Sequence, residues 1–167
     1  MKIICIIKTL LISLLLPYCL YAQKYSFTCD TYNNEGICTY RGIEGRISLT
    51  TDADDLPVLL VAVSNPEGKR IMPFGYWTDP ETSYSIKHMN SHLYDESLRD
   101  VYYITDNEDE FMLAIKHENS IAQYIIMSYR YKTKPPTYIH IPYSETTYDR
   151  IWNIIKAAKR NIGFKEI

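Results

Sequence analysis

Glycine and tryptophan are scarce in this chain, at 6 and 2 of 167 residues, and there are only 4 cysteines. The glycines Gly36, Gly42, Gly45, Gly68, Gly75 and Gly163 all fall where turns, bulges or caps are expected. None of them belongs to a phosphate-cradling loop or a dinucleotide fingerprint, which removes the nucleotide-binding classes that depend on such loops. A G-x-S-x-G elbow is missing, as is an H-E-x-x-H pair, and with them two common hydrolase signatures. No cysteines stand at the close C-x-x-C spacing that lowers a thiol pKa, so redox exchange has no sequence support. An excess of basic charge is lacking too: 18 Lys and Arg face 20 Asp and Glu, scattered among one another. A phosphate backbone needs a gathered basic stripe, so nucleic acid and anionic membrane are poor partners.

The one long apolar stretch opens the chain. Residues 1–22, MKIICIIKTLLISLLLPYCLYA, place a short basic start with Lys2 and Lys8 before an apolar run from Thr9 to Leu16, and the small Ala22 stands before Gln23. That pattern is a secretory signal peptide. The run is shorter than the roughly 20 apolar residues of a permanent membrane span, so the mature chain is expected to start near Gln23, to be exported to the periplasm or beyond, and to carry no stable membrane insertion. Removal of Lys2 and Lys8 makes the mature chain more acidic than the formal net charge of −2. Cys5 and Cys19 leave with the leader, and the bulky Tyr18 before Cys19 does not suit a lipid-modified start. Cys29 and Cys38 remain on either side of Asn33-Asn34-Glu35-Gly36, a turn sequence, which in an oxidising compartment predicts a disulfide across a hairpin.

Residues 23–167 show no repeat, low-complexity tract or flexible linker, which predicts a single β-rich globular domain. Alternation of apolar and polar residues marks strands from Tyr25 to Cys29, Ile37 to Arg41, and 46 to 51. The run from Pro57 to Ser64 is apolar on both faces and reads as the most buried, central strand. Asn65-Pro66-Glu67-Gly68 turns the chain into a partner strand from Arg70 to Trp77. Residues 80–99 read as either a short helix or an irregular connection. Strand character resumes at 101–105, 111–117, 121–131 and 137–143. A final helix carries Tyr148, Ile151, Trp152, Ile155 and Ile162 on one face, with Thr146 and Asp149 as its capping box and Gly163 as its end; Trp152 is expected at the centre of the buried stripe. The expected fold is mainly β, an antiparallel β-sandwich or half-barrel with one C-terminal α-helix packed on the sheet.

Three groups of residues carry candidate chemistry. His88, His92 and Glu96 would share one face of a helix over 84–97 and offer zinc three ligands with an open fourth position; a solvated polar face explains the same spacing. Asp52, Asp54 and Asp55 offer hard oxygen ligands, but Leu56-Pro57 follows where a calcium loop would place glycine and a bidentate acid. Tyrosine is the compositional peak, 16 in all, of which Tyr18 and Tyr21 belong to the leader. Strand alternation puts Tyr129 with Tyr131 on one face and Tyr138 with His140 on one face of the next strand, so pairing of the two strands predicts a Tyr/His binding patch; β-sheets also favour tyrosine for its own sake. The expected function is a small exported, non-enzymatic protein of a bacterial envelope or secretome that binds a protein or other envelope macromolecule, as an inhibitor, immunity-type or accessory protein, with no cofactor. The alternatives are a small secreted metal-dependent or hydrolytic enzyme, and a structural subunit assembling through strand edges.

Overall fold

The computed structural model describes residues 23–51, 53–68, 70–77, 85–89, 97–105, 109–163 and 165–166. Residues 1–22, for which a signal peptide is expected, lie outside the described residues.

Strands β1 (Gln23–Tyr32), β2 (Cys38–Thr51), β3 (Pro57–Ser64) and β4 (Arg70–Trp77) form one antiparallel meander. Strands β5 (Ser85–Met89), β6 (Leu98–Thr105), β7 (Asp109–Glu118), β8 (Ile121–Tyr131) and β9 (Thr137–Pro142) form a second. A short β10 (Lys165–Glu166) runs parallel to β5. The two meanders join where β9 lies antiparallel to β1, through the pairs Asp30↔His140, Thr31↔Ile139 and Tyr32↔Tyr138. The result is a half-barrel of order β10-β5-β6-β7-β8-β9-β1-β2-β3-β4 with a single helix, α1 (Glu145–Ala158), packed on it. A π-helical turn, Lys159–Gly163, follows α1.

Period-two alternation sorts the side chains into two faces. Phe27, Ile47, Leu49, Leu59, Val61, Phe111, Leu113, Ile125, Met127, Ile139 and Ile141 point to the helix face, where they meet Ile151, Ile154, Ile155 and Ala158 of α1 in one apolar core. A smaller cluster of Val101, Met112, Ala114 and Ile126 is buried on the opposite face of β6–β8.

Four expectations change. β3 is not central; it is next to the end of the sheet, and its apolar run splits into fully buried Leu59, Val61 and Val63 on the helix face and half-buried Leu60 and Ala62 behind. Residues 85–89 are a strand, so a helix over 84–97 is not formed there. The helix cap is Ser144, two residues upstream of Thr146: its backbone is extended (φ −144°, ψ 149°) and its hydroxyl accepts from the Thr147 amide at 3.1 Å. Trp152 is half-buried on the flank of the stripe that Ile151, Ile154, Ile155 and Ala158 form, because those four positions recur at the helical period and Trp152 falls beside them. No helix among the described residues is long and apolar enough to cross a membrane.

A candidate binding site at the seam of the two meanders

The seam is shaped by an irregularity in β1. Register shifts on both sides of Thr31 disturb its pairing with β2. Thr31 is fully buried, its hydroxyl 2.7 Å from the Thr39 hydroxyl, while Gly42, at φ +60°, donates its amide to the Asp30 carboxylate at 2.8 Å. These contacts fix Asp30 and Tyr32 on the face away from the helix, where β9 presents His140 and Tyr138 as their direct partners. Directly paired residues of an antiparallel sheet project to the same side, so four side chains converge.

His140 is the centre of that convergence. Its ring lies 4.2 Å from the Tyr32 ring and 5.5 Å from the Tyr124 ring, centroid to centroid, in tilted contacts. Tyr138 packs nearby against the apolar cluster of Val101, Met112, Ala114 and Ile126. Burial pushes the His140 imidazole down to about 4, with Lys116 acting in the same direction and the Asp30 carboxylate opposing both. His140 is therefore neutral at neutral pH, a half-buried aromatic ring with polar nitrogens, held between two phenols.

Register separates the residues that spacing alone had grouped. Tyr138 opposes Ser128, and Tyr129 opposes Thr137. Tyr129 consequently lies on the helix face, packed against the core, and is not part of the Tyr138–His140 surface. Tyr131, further along the same strand, is exposed, with Lys132 and Lys134 ammonium groups 5.2 and 5.5 Å from its ring centre. Tyr32 and Tyr124 take the places expected for Tyr129 and Tyr131. Alternation along β1 and β8 offered that signal, but only the β1–β9 pairing, which joins segments from opposite ends of the chain, turns it into a site.

The cysteines are corrected by the same register. Cys29 opposes Ile43 and is buried on the helix face; Cys38 opposes Tyr32 on the other. Three residues along a strand is about 10 Å, beyond the roughly 7 Å between Cα atoms that a bridge tolerates. Both are free thiols. Burial, with Asp30 adding to it, pushes the Cys29 thiol up to about 12, so it remains protonated and inert.

Of the metal candidates, His88 is on β5, and His92 and Glu96 lie outside the described residues. Asp52 is outside them too, and Asp54 and Asp55 form a turn. Among the described residues, no three His, Cys, Asp or Glu side chains are grouped to hold a metal. His117 stands apart from His140, its Nδ1 buried without a hydrogen-bond partner. A second aromatic group forms on the helix face, where Trp152 stacks on Tyr102 at 4.1 Å and Tyr148 lies 6.4 Å from Tyr143. Burial raises the Tyr148 hydroxyl above its ordinary range, with Asp100 and neighbouring phenols contributing; these rings tie the helix to the sheet.

No family model matches the chain, and neither the curated proteins nor the solved structures contain a match to it.

Proposed function

We propose that this is a small exported, non-enzymatic protein that binds another macromolecule, as an inhibitor, immunity-type or envelope accessory protein. The signal-like start of the chain supports export. The observation that carries the binding reading is the seam cluster, in which Tyr32, Tyr124, Tyr138 and His140 converge on the face that the helix leaves free. Tyrosines that combine a rigid apolar body with a polar tip dominate many contact surfaces, because they bury large area at little conformational cost. Half-buried rings already fixed by their neighbours lose little further freedom on binding.

The test is capture from the native envelope fraction with the mature chain and two variants. Tyr138→Ser is expected to release a partner that the unmodified chain retains, while its melting temperature stays close to that of the unmodified chain. Lys159→Ala, remote from the seam, is expected to retain the partner. Retention of the same partner by Tyr138→Ser, or its loss with Lys159→Ala, would remove the seam from consideration.

A further inference from the structure

The two meanders meet along a short and irregular stretch of ladder. β9 pairs with β8 from Thr137 to Pro142, but among the described residues it pairs with β1 through Asp30↔His140, Thr31↔Ile139 and Tyr32↔Tyr138 alone. Register shifts flank Thr31 on the β2 side, so the three residues that hold β9 stand where β1 is least regular. A ladder disturbed by bulges and held by few pairs is where a sheet parts at least cost. Parting there leaves the rest of the fold in place. α1 follows β9 and packs on β1, β2 and β3, and one apolar core on the helix face contains residues of both meanders, so the halves stay tethered.

His140 occupies this joint. Its ring is packed between Tyr32 of β1, at 4.2 Å, and Tyr124 of β8, at 5.5 Å, where an imidazolium loses much of the water that solvates it. The surrounding charges do not make good that loss. Lys116 of β7, the ladder partner of Tyr124, brings a second positive charge to the same face. The Asp30 carboxylate of β1 attracts an imidazolium, but it already accepts the Gly42 amide at 2.8 Å and interacts with the Arg41 guanidinium of β2. Cys38 of β2 and Tyr138 of β9, the two ladder partners of Tyr32, are a thiol and a phenol and supply no counter-charge in acid. Burial and Lys116 outweigh Asp30, and in the closed joint the ring stays neutral down to about pH 4. Opening admits water to the ring and restores its ordinary value of about 6.5.

We propose that the β1–β9 joint is an acid-sensitive latch: uptake of a proton by His140 favours parting of the two meanders along Asp30, Thr31 and Tyr32, which frees the Tyr32 ring and the facing edges of β1 and β9 while each meander stays folded. The latch is a property of the fold and holds whether or not the seam is the contact surface proposed above.

Native-state amide hydrogen exchange of the mature chain, followed by NMR in low urea and corrected for the intrinsic pH dependence of exchange, tests this. The protected amides among Asp30, Thr31, Tyr32, Tyr138, Ile139 and His140 are expected to exchange through an opening that urea barely affects, whereas those of Leu59 and Val61, inside the first meander, follow the urea-dependent global unfolding. The difference in proton affinity between the open and closed joint sets the size of the pH effect, an opening equilibrium about twentyfold larger at pH 5 than at pH 7. His140→Gln is expected to flatten that rise. Lys116→Gln, which removes a like charge and lets the closed joint accept the proton more readily, is expected to reduce it. Joint amides that share the urea dependence of Leu59 and Val61, protection that is the same at pH 7 and pH 5, or a full rise in both variants would each overturn the proposal.

Discussion

At the scale of single residues, Gly45 is the position with least latitude. It lies buried on β2 directly opposite Phe27, and a Cβ placed there would meet the Phe27 ring, at 2.8 Å from Cζ and closer still at a neighbouring atom. The aromatic ring covers the glycine backbone, so Phe27 and Gly45 act as one packing unit. Gly45→Ala is expected to destabilise by about 1–3 kcal/mol, the usual range for overpacking a filled core. Thermal unfolding should show a drop of several degrees, and Phe27→Leu added to Gly45→Ala should recover part of it by making room. An unchanged melting temperature in the single variant would mean that the ring moves freely. The two thiols give a second residue-scale expectation: with Cys29 buried and its thiol pushed up to about 12, and Cys38 half-exposed at the start of β2, iodoacetamide should modify Cys38 in the native protein and reach Cys29 only after unfolding. Peptide mass mapping distinguishes them. Native labelling of Cys29, or protection of both against alkylation under denaturing conditions, would contradict the register.

At the scale of elements, α1 separates what periodicity conveys from what it leaves open. Ser144→Ala removes the acceptor for the Thr147 amide and should cost about 1 kcal/mol, whereas Thr146→Ala, on the exposed first turn, should be close to neutral. Ile151 is fully buried, so Ile151→Ala should cost about 2–5 kcal/mol, more than truncating the half-buried Trp152, whose ring rests on Tyr102. Urea unfolding of the four variants ranks them. The helix, its apolar stripe, the turn at Asn33–Gly36 and the strands other than β5 and β10 were legible, because each is dictated by residues near one another in the chain; residues 85–89, read as helix or irregular connection, form β5. Cap position and the centre of the stripe were misplaced by one or two residues, since Ser-Glu-Thr-Thr offers several acceptors in a row and only tertiary contact selects among them. The Tyr/His patch was half legible. Tyr138 and His140 share a face whatever the register, but whether Tyr129 joins them depends on a one-residue choice that inverts every side chain of the pairing. Cys29 and Cys38 failed for the same reason: bulges around Thr31 shift the hairpin register in a way that no spacing rule anticipates.

At the scale of the whole molecule, the described strands of the two meanders pair with each other at three β1–β9 positions, and His140 occupies one of them between Tyr32 and Tyr124. The half-barrel is thus joined at a point where a titratable ring is kept neutral by its surroundings. In the unfolded chain this histidine takes up a proton near its ordinary value of about 6.5, whereas in the folded protein it does so only near 4. Between those values the unfolded state binds more protons than the native state, so the contribution of His140 is complete above about pH 6.5, declines as the pH falls, and is lost by about pH 4. Carboxylates titrating in the same interval can move stability in the same direction, which makes the comparison of variants more informative than the parent profile alone. His140→Gln keeps a polar group of similar reach without a titrating proton. Its urea midpoint should therefore fall less between pH 7 and pH 4 than that of the unmodified chain, with the two curves converging towards acid. Parallel curves would mean that the ring is solvated in the folded protein, and the seam would then lack the dehydrated aromatic character on which its role as a contact surface rests.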